Sequence, residues 1–406
     1  MSDFSIQMKN RNSNTLFYVA LTFEGTSGEV ITVEDIMMQL PYSEDLSVER
    51  LSRLFDKMSE SYKLFWFQAI INKVISGKDA LTFNELINEM IADSWYMVSE
   101  YKLNLGPSDT LEALVCYIYE ISGIKTSEKK SDILNYLERC KDKKISEMKR
   151  TLTYHVPYRL QAPFVETFLG SEWNISKQNL ASRMNQEKHL IYYFSDICGM
   201  DTSIFVRPEW CDYIKKNQEI LKGWIQYNLI IYLQRRNPNV PGISSKLEAP
   251  QNRRLNKVIK YWKTIMEIVP VTDIYGNEIL TEETLSIDHF IPWSYVAHDE
   301  FWNLNPTTRS INSSKNNNLP DWKTYFPALF EKEYFSYQMM WKYDAIHKEF
   351  IKCSKEHVNS NDVMMKLYRE NVLKEEFRDN LENILLPVYN AAQNAGFRDW
   401  FYGNMK

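Results

Sequence analysis

The sequence predicts an α+β protein that is predominantly helical, with one small mixed unit embedded between helical regions. Three observations carry this. Glycine is scarce, at 12 of 406 residues with 14 prolines, against a usual glycine share of about 7%. Apolar and aromatic residues recur at three- and four-residue steps over most of the chain, the spacing of one helix face. The only stretch that stays non-helical for long lies at about 270–308. With 14% aromatic residues, the core is expected to be large and ring-rich.

Taken in order, residues 1–45 read as a short mixed segment, strand-like from Leu16 to Phe23 with a turn at Glu24–Gly28. From Ser47 the pattern is helical through Leu51, Leu54, Phe55, Met58, Tyr62, Phe65 and Phe67. Thr82 with Glu85 three residues on forms a capping box that opens a helix to Trp95. Leu111–Ile121 and Ser131–Cys140 read as further helices, and Lys141–Lys149 as a solvated charged run. A second region starts near Thr151 with a proline-interrupted connector at Tyr154–Phe164 and short strands at Ile191–Phe194 and Ser203–Val206. Pro208 suits a first helical position, and the helix it opens runs to about Gln234. An amphipathic helix fits Arg253–Ile268, and the chain is helical again from Pro320 onward. These breaks divide the chain into a mostly helical 1–150, a mixed connector with a basic helix at 151–268, a compact unit at 269–325 and C-terminal helices at 326–406 packed on it.

Length at roughly 100–200 residues per domain points to two or three domains. A hydrophobic share of 44% with 25% charged residues excludes a disordered chain. The N-terminus lacks the basic start and apolar run of a signal peptide. No run of about 18 apolar residues spans a membrane. Five scattered cysteines without a CxxC pair argue against a disulfide framework and a zinc ribbon. A cytoplasmic protein with free thiols is the expectation. The net charge of −5 excludes a protein coated in basic charge, though not a local basic face.

The chemistry concentrates between Leu285 and Pro320. An apolar strand delivers adjacent Asp288 and His289, with Pro292 closing it; Asn303, Asn312 and Lys315 follow. Tyr275–Asn277 supplies a turn upstream, so that Val271–Ile287 could form the flanking strand, and Thr308–Asn318 reads as a short helix closing over the strands. Asp288 and Asn312 offer the oxygen donors that a hard divalent cation prefers. His289, on the opposite face of the strand, can act as general base on a water, for which an imidazole is suited at neutral pH. This combination points to metal-assisted phosphodiester hydrolysis.

The residues Asp288-His289-x-x-Pro292, Asn303-Leu304 and Asn312-x-x-Lys315 resemble the HNH (ββα-metal) endonuclease family. Their spacing is also that of the HNH domain in RNA-guided CRISPR effector nucleases. The resemblance covers about 50 of the 406 residues; the flanks are similar, more loosely, to those of large bacterial HNH proteins. It implies that 269–325 is the nuclease module, with His289 as base and Asn303 bracing the loop as the catalytic pair. It implies metal ligation by Asp288 and Asn312. Asn316 stands where colicin-type members carry a further metal-binding histidine. Mg²⁺, for which Mn²⁺ or another divalent cation could substitute, is the implied cofactor, and without CxxC pairs no structural zinc is expected. The implied activity is that of a DNA endonuclease in an anti-phage or restriction-type setting. Other readings are a non-catalytic DNA-binding or assembly subunit with a degenerate module, and an RNA-cleaving nuclease.

Local charge adds candidates for a nucleic-acid contact. Residues 235–263 hold eight basic residues and only Glu248 against them. Within that segment Arg253, Lys257 and Lys260 share a helix face, and Arg254 lies beside them. Arg309 and Lys315 are further candidates for the phosphate backbone of double-stranded DNA. The N-terminal helical region carries no chemistry of its own and is read as core packing or as a surface for a protein partner or a second copy.

Overall fold

A computed structural model describes residues 40–165, 168, 170–249 and 255–403, and beyond them the backbone of three short strands. Those strands are β1 (Ile6–Gln7), β2 (Ala20–Glu24) and β3 (Val30–Thr32), joined antiparallel in that order. Arg253 and Arg254 lie outside the described residues.

The N-terminal helices start with α1 (Val48–Ser52) and α2 (Tyr62–Ile75). Consecutive Phe65, Trp66 and Phe67 on α2 are all buried, so this helix is enclosed on every side rather than on one stripe. Strand β4 (Ala80–Thr82) leads directly into α3 (Phe83–Trp95). The capping box forms as expected: Glu85 N–H donates to Thr82 Oγ1 at 3.1 Å, and Thr82 N–H to Glu85 Oε2 at 2.9 Å. A π-helical turn over Tyr96–Glu100 continues α3. Asp109 caps α4 (Thr110–Ser122), which Gly123 ends in the left-handed region at φ +70°. Then come α5 (Lys130–Arg139) and α6 (Lys143–Leu152). The charged run at Lys141–Lys149 is largely exposed, as expected, apart from Ile145 and Lys149 on α6. Lys149 is buried, donates to Asn88 Oδ1 at 2.6 Å, and has its pKa pushed down to about 8 by that burial.

Helices α7 (Val156–Arg159) and α8 (Lys177–Met184) lead to β5 (Tyr192–Phe194) and β6 (Ser203–Val206). The two strands pair antiparallel, and β4 joins on the other edge of β6. Pro208 opens α9 (Pro208–Lys216), and after Asn217 the chain resumes as α10 (Gln218–Arg236), so the single helix expected there is two. Helix α11 (Asn256–Met266) carries the basic face.

The mixed unit follows. Strands β7 (Leu285–His289) and β8 (Leu304–Thr308) pair antiparallel, with His289 opposite Leu304 and Asp288 opposite Asn305. Thr308 caps α12 (Arg309–Lys315), its Oγ1 accepting from Ile311 N–H. Strand β9 (Leu319–Pro320) precedes α13 (Trp322–Lys342), α14 (Asp344–His357), α15 (Asn361–Leu367) and α16 (Lys374–Asn394). Strand β10 (Asp399–Trp400) then returns to pair parallel with β9. The protein is thus predominantly helical α+β, with its apolar side chains in one continuous core from Leu40 to Trp400. No helix among the described residues is long and apolar enough to cross a membrane.

Candidate functional site

The alternation of β7 sends Asp288 and His289 to opposite faces, and their partners differ accordingly. Asp288 is buried, accepting from the Tyr275 hydroxyl on Oδ2 at 2.5 Å and from Lys315 Nζ on Oδ1 at 3.0 Å. Tyr275 is aimed by the turn that precedes it. Asp273 accepts from the N–H groups of Tyr275, Gly276 and Glu278, closing the turn around its own carboxylate. At Gly276 a Cβ would lie 2.6 Å from the Tyr402 ring, so glycine is what admits that ring against the turn. Burial, with the Asp288 charge behind it, holds the Tyr275 phenol well above its ordinary pKa and keeps it a neutral donor.

Lys315 is fully buried at the last turn of α12 and also donates to the His289 carbonyl at 2.7 Å. Burial pushes its pKa down, while the Asp288 carboxylate works the other way. The sequence-derived expectation of a phosphate contact at Lys315 does not match this placement, because the ammonium faces inward onto β7. One turn earlier on α12, the Asn312 amide nitrogen donates to Ser286 Oγ at 2.9 Å and to the Ile287 carbonyl at 3.0 Å. That orientation leaves the Asn312 carbonyl oxygen as the group available to a ligand. Asn316 does not extend the helical face of Asn312. It is exposed beyond the last helical residue, at φ 47° and ψ −131°.

His289 is buried with Nε2 2.7 Å from Asp299 Oδ1. Asn303 is enclosed and bonded twice to one residue: Ile291 N–H donates to Oδ1 at 2.7 Å, and Nδ2 donates to the Ile291 carbonyl at 2.9 Å. The Phe290–Pro292 segment is thereby fixed to the residue that precedes β8. Ser294 and Asn317 add a link the sequence did not suggest. Ser294 Oγ donates to Asn317 Oδ1 at 2.5 Å, while Asn317 Nδ2 donates to the carbonyl and side chain of Glu100 on the π-helical turn.

Among the described residues no three His, Cys, Asp or Glu side chains cluster as a metal site. A cation here would draw on amide oxygens beside one carboxylate. Asp288 and Asn312 supply such donors. Asn305, facing the same side as Asp288, buries a side-chain oxygen that has no hydrogen-bond donor. Unmatched acceptors next to a carboxylate fit a hard, oxygen-seeking cation, with the Lys315 ammonium as the positive charge already in contact with that carboxylate.

The basic candidates separate. Arg309 is exposed at the first position of α12. Lys257 and Lys260 on α11 face α14, where they pair with Glu356 and Glu349; Lys263 pairs with Glu282. The basic face of α11 is therefore largely matched within the protein.

Sequence reasoning missed Asp299, Tyr275 as a partner of Asp288, and Asn317. Asp299 and Tyr275 lie 10 and 13 residues from the partners they serve, but in a loop and a turn with no periodicity to aim their side chains, and Asn317 has the look of a helix-ending residue.

Comparison with known proteins agrees with the motif. A family model described as HNH endonuclease matches residues 272–321, the segment that contains the turn, both strands and α12. No curated protein and no solved structure matches the chain.

Proposed function

We propose that this protein, which carries an HNH endonuclease domain over residues 272–321, hydrolyses phosphodiester bonds in DNA with a divalent cation, Mg²⁺ first. The observation that carries the proposal is the assembly around β7. Asp288 and His289 lie on opposite faces of one strand, with Asn312 brought by α12 to the backbone of that strand.

In this reading His289 accepts the proton of the attacking water. Its Nε2 faces the Asp299 carboxylate, so in the neutral ring the proton-accepting lone pair lies on Nδ1. Asn303 keeps the chain after His289 in place through both bonds to Ile291. Asp288 and the Asn312 carbonyl would hold the cation, which at such a pair supplies charge stabilisation to the phosphate oxygens. Tyr275 and Lys315 keep the Asp288 carboxylate oriented. Arg309 is the exposed cation nearest in sequence to these groups and is assigned to the DNA backbone.

The test is cleavage of supercoiled plasmid by wild type and His289→Ala, with Mg²⁺, Mn²⁺ or chelator. Nicking or linearisation that requires metal and is lost in the variant is the expected outcome. Persistent cleavage by His289→Ala would remove the role given to His289. A second reading, DNA binding without turnover, draws on the Lys315 ammonium lodged at the Asp288 carboxylate. A gel shift with no cleavage in either metal would favour it.

A further inference from the structure

We infer that Asp299 is a positioning residue for His289, and that the C-terminal helices hold it in place through His357. The inference rests on the reading of His289 as the base.

The loop from Trp293 to Glu300 carries no regular strand or helix, so local backbone structure does not fix the Asp299 carboxylate. Its position is set from α14. His357, the last residue of that helix, places Nδ1 2.7 Å from the Asp299 carbonyl. A carbonyl only accepts, so His357 Nδ1 carries the proton and its ring is the donor. Burial lowers the His357 pKa, in keeping with a neutral ring of that tautomer. Two residues on, Asn359 Nδ2 donates to Glu300 Oε1 at 3.0 Å. Consecutive loop residues are thus held by consecutive contacts from one helix end.

With its main chain held there, Asp299 turns its carboxylate to His289 Nε2, and the two side chains are only 20% and 7% exposed. An ionised carboxylate at this distance takes the Nε2 proton as a hydrogen bond and so selects the tautomer. It also places negative charge beside the imidazolium that forms when His289 accepts a proton. In the serine-protease triad the carboxylate that orients the general-base imidazole is worth about 10⁴ in kcat. Asp299 lies in the loop between β7 and Asn303, outside the residues that form the motif, and its support comes from a helix about 60 residues away.

The test compares full-length wild type, Asp299→Ala, Asp299→Asn and His289→Ala. Readouts are plasmid-cleavage kinetics, thermal melting and the ¹⁵N spectrum of the His289 ring. Asp299→Ala is expected to lower kcat by roughly 10²- to 10⁴-fold with little change in KM. Asp299→Asn, which keeps an acceptor oxygen, is expected to recover part of that loss. The His289 ring should be the Nε2–H tautomer in wild type and mixed in Asp299→Ala. Wild-type kcat in Asp299→Ala, alongside an inactive His289→Ala, overturns the inference and leaves the base intact. Cleavage by His289→Ala overturns the reading of the base instead. In that case the ring tautomer decides: a change between wild type and Asp299→Ala supports the positioning contact, and no change overturns it. A drop in melting temperature with an unaltered His289 tautomer likewise overturns it.

Discussion

Lys315 Nζ lies 3.0 Å from Asp288 Oδ1, with the two side chains 1% and 3% exposed. A buried pair of this kind costs much of its attraction in lost hydration, and removing one member strands the other. Lys315→Met is therefore expected to destabilise the fold by about 3–5 kcal/mol. Adding Asp288→Asn should recover much of that loss, because no unmatched charge remains. Urea unfolding of the two single variants and the double variant measures the coupling. Additive losses would show that the pair does not act as a unit.

Tyr275 serves the same carboxylate. Tyr275→Phe keeps the ring between Tyr325 and Trp400 but removes the donor from Asp288 Oδ2. A loss of about 1–3 kcal/mol is expected for the acceptor left short of its partner. Guanidinium melts would detect it, and an unchanged midpoint would mean that the hydroxyl is dispensable.

Exposed and matched cations should differ in their response to salt. Arg309→Ala is expected to reduce the slope of log affinity against log salt by about one unit on duplex DNA. Lys257→Ala, whose ammonium pairs with Glu356, should leave the slope nearly unchanged. Fluorescence anisotropy of a labelled duplex at several salt concentrations reads both. Equal effects would place α11 on the DNA as well.

Glu333 on α13 sets a pH dependence of stability. It is fully enclosed, one side-chain oxygen has no partner, and burial raises its pKa to about 8. The unfolded chain releases this proton near 4.5, so between those values the folded state binds more protons. Stability from this group is present below pH 4.5 and is lost as pH rises toward 8. Glu333→Gln is expected to be more stable than wild type by a few kcal/mol at pH 8 and similar to it at pH 4.5. Thermal melts at the two pH values check the sign.

Much of the site was legible because the motif residues lie within 28 positions of one another and local rules place them. Period-2 alternation separates Asp288 from His289, and Thr308 caps the helix that carries Asn312 and Lys315. The capping box at Thr82 and the proline at 208 were readable for the same reason. The directions of the cations were not. Lys315 looks like an ordinary solvated helix end, and only the packing of α12 on β7 turns it inward. The basic stripe of α11 gives no sign that the carboxylates of α14 stand against it, since about 90 residues separate the two helices. Asp299 is hidden similarly, because its partner contacts arise from tertiary packing and not from spacing.

The parallel pairing of β9 with β10 bears on how the nuclease segment can be handled. Leu319 N–H donates to the Arg398 carbonyl and Asp321 N–H to that of Trp400. Trp400 also packs edge-on to Tyr275, and Tyr402 donates to Glu278. On the far side Phe301 is wedged among Tyr261, Phe350 and Tyr368, and Asn317 reaches Glu100. The span that carries the motif is therefore a keystone rather than a cartridge. Cut out alone, it would expose rings and backbone groups that five other parts of the chain now cover, and grafting it elsewhere would mean rebuilding those walls as well.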